Sequence, residues 1–262
     1  VAVDLGEDEF TVVLAGTGDN PTTLLGCGGQ AVVSLGSSYT VNGVASAAVP
    51  SRSGDYNLFG YTPGNAMALS VFTNGGKVHD AFLEKYIAPS RQDAGNRWEA
   101  YIGKAGEPVL RKNEPLMLPY LFDESVPQRK RGIVREGLGE EDPAANIRAL
   151  HLSQVLAMKL HTGHLADVSA LCVAGGAAKN LFMRQLIADV FNAETFTVDH
   201  AGFAAPLGCA LSGARQLLGI SYEEAADRYV RKDPASVCRP IPENREAVAA
   251  LLKRYAELER KT

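Results

Sequence analysis

Three glycine-rich segments each follow a predicted strand, and the first of them ends in a carboxylate. They are residues 16–19, 35–38 and 175–180. Glycine lets the backbone approach a ligand closely, and the first turn of a helix offers unpaired N–H groups to an anion. A carboxylate at such a place can accept a proton from an attacking hydroxyl group, and Asp19 is the candidate. The alternatives are ordinary strand-to-helix turns and, for Asp19, a helix N-cap.

The hydrophobic pattern around these segments predicts strands that alternate with helices. Strands are predicted at residues 9–14, 30–35, 39–44, 169–174 and 195–198. Helices are predicted from Pro21, with Asp19 or Asn20 as N-cap, and at residues 77–86, 142–163, 180–191, about 207–218 and about 248–258. Residues 45–65 are predicted to form an irregular hairpin or loop, 123–139 a charged loop, and 88–115 show no clear periodicity. This order indicates a layered α/β domain, in which ligands bind at the carboxyl ends of the strands.

Two common phosphate-binding motifs are absent. No G-x-x-x-x-G-K-[ST] segment occurs, and Gly75-Gly76-Lys77 lacks its spacing. The dinucleotide fingerprint also fails, because Pro21 stands where a third glycine should follow residues 16–18. A dinucleotide-dependent oxidoreductase is therefore only a minor alternative, and a nucleotide would need another architecture.

Composition excludes several classes of protein. The chain has 262 residues, a formal net charge of -4 and 46% hydrophobic residues, which fits a globular protein without the basic bias of a duplex nucleic-acid binder. The cysteines form no C-x-x-C pair, so reduced thiols are predicted. No signal-peptide pattern and no apolar run of about 18 residues is present. We therefore expect a cytoplasmic protein with neither a nucleic-acid nor a membrane partner.

Five short segments carry a resemblance to a known family. Residues 16–19 read G-T-G-D, residues 33–38 read V-S-L-G-S-S and residues 118–127 read L-P-Y-L-F-D-E-S-V-P. Residues 173–180 read V-A-G-G-A-A-K-N and residues 206–211 read P-L-G-C-A-L. In this order they resemble the C-terminal domain of the FGGY carbohydrate kinases, whose segments read roughly G-x-x-D, S-x-G-T-S, P-Y-L-x-G-E-R-x-P, G-G-G-A-K-S and A-L-G-A-A. The xylulose-kinase branch is the most similar.

The resemblance implies a fold and a set of roles. It implies an actin-like ATPase fold of two ribonuclease-H-like domains, with ATP and Mg²⁺ as cofactors, a small sugar or polyol as substrate and Asp19 as general base. A xylulose-like ketose is favoured and no metal ligand is assigned to this chain. Gly208 is expected to permit close helix packing beside the adenine pocket. For His79 the alternative is a solvated residue at a helix start. The nucleotide-binding positions that the family implies are Gly18, Gly36, Ser37, Ser38, Gly75, Gly76, His79, Gly175, Gly176, Ala177, Lys179 and Asn180.

The resemblance also divides the chain. Residues 1–9 are expected to end an interdomain connection, residues 10–240 to form the nucleotide-binding domain, and residues 241–262 to form a helix that packs on it. An N-terminal kinase domain is expected upstream, so this chain alone is expected to be inactive. A non-catalytic nucleotide-binding half is the alternative, and a homodimer is left open. His161 and His164 are predicted to share a helix as a surface or half-buried pair, because no Cys, Asp or Glu nearby in sequence completes a metal site.

Overall fold

The computed structural model describes residues 2–4, 10–12, 16–45, 48–87, 94–165, 168–199 and 201–262. The helices of these residues are α1 (Asp19–Gly26), α2 (Gly76–Tyr86), α3 (Ala94–Lys104), α4 (Pro143–Leu160), α5 (Leu181–Phe191), α6 (Ala204–Leu218), α7 (Tyr222–Tyr229) and α8 (Arg245–Arg260). The strands are β1 (Ala2–Asp4), β2 (Phe10–Val12), β3 (Val32–Leu35), β4 (Tyr39–Ala45), β5 (Asn57–Gly60), β6 (Ala66–Phe72), β7 (Leu116–Tyr120), β8 (Gly132–Glu136), β9 (Ala170–Ala174) and β10 (Glu194–Phe196). None of the helices described is both long and apolar enough to span a membrane.

The central sheet has the strand order β10-β9-β3-β4-β6-β5. The β10, β9 and β3 strands are parallel, and β4, β6 and β5 continue the sheet in antiparallel pairs. Two separate antiparallel pairs, β1 with β2 and β7 with β8, complete the strands that are described. The sheet is therefore parallel at the side where β3 and β9 both end in glycine-rich turns.

Successive side chains of the central strands point to opposite faces of the sheet, and a buried core lies on each face. In β3, Val33 and Leu35 join the large buried cluster that contains α4, α5 and α8, while Val32 faces a smaller cluster with α1 and α6. In β9, Val173 and Cys172 divide in the same way. Because successive side chains in a strand point to opposite faces, these short apolar runs predict a sheet covered on both faces.

The helix at the centre of the larger cluster begins where the sequence predicts it. Asp142 is the N-cap of α4 and accepts a hydrogen bond from the backbone N–H of Ala145 at 3.0 Å, with Pro143 in the first turn. A side-chain cap and a proline in the first turn both stabilise a helix start. Of the apolar stripe predicted for this helix, Leu152, Val155 and Leu156 are buried, whereas Leu160 at its end is 37% exposed.

The α1 and α6 helices touch through their backbones. A Cβ atom at Gly26 would lie 1.8 Å from the carbonyl oxygen of Ala204, and one at Gly208 would lie 1.9 Å from that of Thr22. Residues 22 and 26 therefore face residues 208 and 204, so the helices run antiparallel. The close helix packing expected at Gly208 is confirmed. The N-terminus of α1, where Asp19 lies, is fixed against the middle of α6.

Several sequence predictions of local structure are wrong. The segment 123–139 contains β8, which pairs with β7, and α3 occupies part of the segment that shows no periodicity. Residues 45–65 were predicted to form an irregular hairpin or a loop. They contain β5, which pairs with β6, a strand that was not predicted. The β8 strand is half-exposed along most of its length and shows no clear alternation, so its pairing with β7 could not be predicted from its own residues. The predicted strand at 9–14 is confirmed over Phe10–Val12, and its other positions lie outside the described residues.

The start of α1 also differs from the prediction. Gly18 is the N-cap, it contributes no side-chain hydrogen bond, and Asp19 is the first helical residue. The N-cap prediction for Asp19 and Asn20 is therefore wrong. A carboxylate in the first turn is still favoured there, because the N-terminal end of a helix carries partial positive charge.

Candidate active site

A pocket of about 490 Å³ opens where β3 and β9 end. Three segments form its floor, which we call the 36–38 turn, the 73–76 turn and the 175–180 turn. Further walls come from α2, α3, α4 and α5. The lining residues are Leu35, Gly36, Ser37, Tyr39, Gly76, His79, Asp80, Trp98, Tyr101, Ile102, His151, Gly176, Ala177, Lys179, Asn180 and Met183.

The 36–38 turn is held against the 73–76 turn by backbone hydrogen bonds. Gly76 N–H donates to the carbonyl oxygen of Gly36 at 3.0 Å, and Lys77 N–H donates to that of Ser37 at 3.2 Å. The Ser38 hydroxyl contacts the carbonyl oxygen of Thr73 at 3.5 Å. Two segments that carry predicted nucleotide-binding residues and lie far apart in sequence therefore meet through these contacts.

The 175–180 turn packs against the end of β3. Gly175 has φ +90°, and a Cβ atom there would lie 2.8 Å from the carbonyl oxygen of Leu35. Only glycine satisfies both the left-handed backbone and this approach. Asn180 then caps α5, because its side-chain oxygen accepts from the N–H of Met183 at 3.2 Å.

His79 is buried beneath the pocket rather than solvated. The Gln154 side-chain nitrogen donates to the carbonyl oxygens of Asn74 and Gly75 at 2.7 and 3.2 Å. The Gln154 oxygen therefore accepts from His79 Nε2–H at 2.7 Å, and His79 Nδ1 accepts from the Tyr101 hydroxyl at 2.8 Å. Burial lowers the pKa of His79 well below its usual range, with a further contribution from His151, so the imidazole is neutral. The solvated alternative for His79 is wrong.

His151, which the sequence analysis missed, is a second neutral histidine in this wall. Its ring lies 4.4 Å from that of His79, centroid to centroid, and Nδ1–H donates to the carbonyl oxygen of Ile147 at 2.8 Å. Burial lowers the pKa of His151 to about 4. Nε2 then faces the side-chain nitrogen of Asn180 at 3.4 Å, which connects α4 to the 175–180 turn. Its position among the apolar residues of α4 gave no signal of this contact.

Tyr39, Trp98 and Tyr101 form an aromatic wall of the pocket. Tyr39 and Tyr101 are each 1% exposed, Trp98 is 39% exposed, and the Trp98 and Tyr101 rings lie 5.5 Å apart in an edge-to-face arrangement. Burial raises the pKa of Tyr101, which keeps its hydroxyl protonated as a donor to His79. Flat apolar faces of this kind suit a planar ring system. The helical spacing of Trp98, Tyr101 and Ile102 was an available signal for this wall.

Most of the predicted nucleotide-binding residues meet at this pocket, but not all of them line it. Gly36, Ser37, Gly76, His79, Gly176, Ala177, Lys179 and Asn180 are lining residues. Ser38, Gly75 and Gly175 lie behind the lining, within the turns that form the floor. Gly18 and Asp19 lie outside it, exposed at the start of α1.

Asp19 lies beside the strand that follows the 36–38 turn. Its Oδ1 accepts from the backbone N–H and the side-chain amide of Asn20 at 2.9 and 3.2 Å. Asn20 in turn accepts from the Thr40 hydroxyl at 3.4 Å, and Thr40 follows Tyr39 of the aromatic wall. The carboxylate of Asp19 is thus exposed at the start of α1, which Asn20 connects to Thr40 of β4.

The histidine pair singled out in the sequence is not on one helix. α4 ends at Leu160, so His161 is its C-cap and His164 lies in a separate turn. Both histidines are half-buried, as predicted, and His161 hydrogen-bonds two carboxylates from distant parts of the chain, Asp55 at 3.0 Å and Glu259 at 2.9 Å. Burial lowers the pKa of His161, but these carboxylates outweigh burial and raise it overall. Within the described ranges, no group of three or more His, Cys, Asp or Glu side chains is placed to hold a metal ion.

Comparisons with known proteins agree with this architecture. The sequence pattern of the FGGY family of carbohydrate kinases, C-terminal domain, matches residues 31–217. Xylulose kinase 2 of Arabidopsis thaliana is 28% identical over 227 residues, which cover 80% of this chain and 40% of that protein. A ligand-bound xylulose kinase from Lactobacillus acidophilus matches with a TM-score of 0.77 at 17% identity, over 92% of this chain and 49% of that chain. A gluconate kinase from the same organism matches with a TM-score of 0.77 at 19% identity, over 92% and 49%.

The structural matches define the fold as that of an actin-like ATPase. The chain belongs to the FGGY family of carbohydrate kinases, in which it corresponds to the C-terminal domain. It spans about half the length of these relatives or less, with 40% and 49% of their chains covered.

Proposed function

We propose that the protein to which this chain belongs transfers the γ-phosphoryl group of ATP to a hydroxyl group of a small sugar or polyol, with a xylulose-like ketose favoured. The observation that carries this proposal is the meeting of the 36–38, 73–76 and 175–180 turns at one pocket with an aromatic wall. Small residues leave the backbone accessible to phosphates at one end, and apolar faces suit a base at the other. Family membership and the names of the relatives support the same reaction.

In this proposal ATP lies along the pocket. The β- and γ-phosphates lie against the 36–38 turn and Gly76, and the adenosine lies between the 175–180 turn and the aromatic wall. His79 supports the wall of the pocket from beneath, because both of its ring nitrogens already form hydrogen bonds, one with Tyr101 and one with Gln154. The exposed ammonium group of Lys179 lies on the rim, where it can approach a phosphate.

Asp19 accepts the proton of the attacking hydroxyl group. That oxygen bonds to the γ-phosphorus while the bond from phosphorus to the β-γ bridging oxygen breaks, and ADP leaves. Mg²⁺ supplies charge neutralisation on the phosphates when it is bound. It would bind through substrate phosphates, waters and a carboxylate of the preceding half, with Asp19 close by. The Asp19 carboxylate is exposed and forms no ion pair among the described residues, so it remains available as the base.

The test uses the protein together with the half that precedes these residues in the relatives. We expect phosphorylation of at least one sugar when ATP is offered with pentoses, hexonates and polyols. Replacing the base, Asp19→Asn, should lower kcat by about 10²- to 10⁴-fold and leave the Kd for ADP unchanged. Asp227→Asn, which changes an exposed aspartate on α7, is the matched control and should have no effect.

Three outcomes would contradict this proposal in different ways. Unchanged phosphorylation by the Asp19→Asn variant would remove Asp19 from the chemistry. ADP binding without any sugar phosphorylation would favour a non-catalytic nucleotide-binding half. Tight NADH binding without ATP binding would favour an oxidoreductase.

A further inference from the structure

A buried carboxylate lies behind the pocket, among residues that do not line it. Glu124 follows β7 and is 7% exposed. It takes part in none of the ion pairs formed by the described residues. A buried anion is costly unless hydrogen-bond donors surround it, so its partners indicate what it is there to hold.

Those partners belong mainly to the 73–76 turn. Glu124 Oε1 accepts from the backbone N–H groups of Thr73 at 2.5 Å and of Ser125 at 2.8 Å. Glu124 Oε2 accepts from the backbone N–H of Asn74 at 3.1 Å and from its side-chain amide at 2.9 Å. Hydrogen bonds to an ionised acceptor are roughly twice as strong as neutral ones. The carboxylate therefore fixes two consecutive peptide groups of this turn.

The side chain of Asn74 also fixes this turn, through hydrogen bonds to the backbone of Phe122. Asn74 is 2% exposed, its side-chain oxygen accepts from the N–H of Phe122 at 2.8 Å, and its side-chain nitrogen donates to the Phe122 carbonyl oxygen at 2.9 Å. On the opposite side, Gln154 donates to the carbonyl oxygens of Asn74 and Gly75. The 73–76 turn is thus held from both sides before any ligand enters the pocket.

The same turn determines where the 36–38 turn lies. Two contacts between them run from Ser38 to Thr73 and from Gly76 to Gly36, and the next residue, Lys77, donates to Ser37. Gly36 and Ser38 are therefore in contact with the turn that Glu124 anchors, and Ser37 contacts the residue that follows this turn. No residue of the 175–180 turn hydrogen-bonds Glu124 in the described structure.

We propose that Glu124 is a positioning residue for phosphate binding, which acts by fixing the 73–76 turn and, through it, the 36–38 turn. This inference rests on the proposed function, because it takes the 36–38 turn as the site of the β- and γ-phosphates. Loss of the carboxylate removes no hydrogen bond of the aromatic wall or of the 175–180 turn, so its direct effect falls on the phosphate end of the pocket. Ligands with phosphates should lose affinity, and adenosine should not.

The experiment compares ATP, ADP and adenosine by titration calorimetry on the full-length protein. Glu124→Gln keeps the shape and one oxygen but turns an NH₂ group toward N–H donors. We expect the Kd for ATP and ADP to rise by about 10-fold or more, as loss of hydrogen bonds to a charged group would give, and the Kd for adenosine to change by less than about twofold. In turnover, the KM for ATP should rise while the KM for the sugar stays the same.

Glu114→Gln is the matched control. Glu114 is also 7% exposed, and its carboxylate bonds Arg148 and the N–H of Arg111 away from the pocket. This variant should lose stability but keep the wild-type ratio of the Kd values for ADP and adenosine. The inference is overturned if the Glu124→Gln protein keeps this ratio, or if its affinities for ADP and adenosine fall equally. In that case, ADP binding by the wild type still supports the proposed nucleotide site. A wild type that binds none of the three ligands refutes the proposed function itself.

A second measurement needs no variant. The amide hydrogens of Thr73 and Asn74 should exchange slowly with solvent in the wild-type protein without nucleotide, because Glu124 already holds them. Exchange at the rate of an open loop would overturn the inference even if Glu124→Gln failed to fold.

Discussion

The close contact between α1 and α6 gives a prediction in which one methyl group decides the outcome. Gly208→Ala places a Cβ atom 1.9 Å from the carbonyl oxygen of Thr22. Ordinary contact begins at 3.4 Å, so the two helices must separate by about 1.5 Å at this point. The obstacle is backbone, which cannot turn away as a flexible side chain can.

The net effect is a balance of two terms. Overpacking costs about 1–3 kcal/mol, and the upper half of this range applies to a rigid carbonyl obstacle. Alanine gains about 1 kcal/mol over glycine through its helix propensity. We therefore expect a loss of about 1–2 kcal/mol in the free energy of unfolding, which corresponds to a fall of about 2–8 °C in Tm for a protein of this size.

The assay is thermal and urea unfolding followed by far-UV circular dichroism, with Gly213→Ala as control. Gly213 lies on the same helix, and a Cβ atom there would meet nothing within 4 Å. The control should gain up to about 1 kcal/mol from helix propensity alone. The two variants are thus expected to shift Tm in opposite directions.

A Gly208→Ala protein as stable as Gly213→Ala would refute the reasoning, since it would mean that the helices separate without cost. If the loss of stability is found, the same variant tests the proposed chemistry. α1 carries Asp19, and a displacement of about 1 Å can cost a reaction about 10²-fold.

The remaining predictions concern stability against pH. Burial lowers the pKa of His151 to about 4, below the value of 6.5 it returns to on unfolding, so its contribution is present above pH 6.5 and falls toward pH 4. Between pH 7 and pH 4 the free energy of unfolding, measured with urea, should fall by about 3 kcal/mol more in the wild type than in His151→Asn. Equal falls in the two proteins would contradict a buried neutral His151. His161, whose pKa is raised overall by Glu259 and Asp55, stabilises below pH 6.5 and loses this effect at higher pH. His161→Gln should therefore lower the free energy of unfolding more at pH 6 than at pH 9. An equal loss at both pH values would contradict the pairing of His161 with Glu259 and Asp55.

Short-range patterns account for what the sequence predicted correctly. The starts of α4 and α5, the β3–β4 hairpin and the turns after β3 and β9 are each specified within a few residues. Asp142 with Pro143 is such a local signal, and so is the glycine pair at 175 and 176. The resemblance added the order of these segments, from which the 36–38 and 175–180 turns were expected to face one ligand.

The rest depends on contacts between distant parts of the chain. His151 looks like one more residue of a buried helix until α2 brings His79 to its ring. Glu124 carries no local sign that its partners are 50 residues away. The charged composition of β8 and its neighbours predicted a loop, whereas the strand forms because β7 supplies its hydrogen bonds. Periodicity describes one element at a time, and these features are properties of pairs of elements.

The place of β3 in the sheet has a thermodynamic consequence for any molecule that enters the pocket. β3 lies between β9 and β4, and the turn that follows it is braced by the start of α2. A partly assembled chain that lacks any of these neighbours has no such cavity. Ligand binding and global folding are therefore linked by mass action. A free ligand concentration of 100 times Kd adds about 2.7 kcal/mol to the free energy of unfolding of the whole domain, rather than stabilising one loop alone.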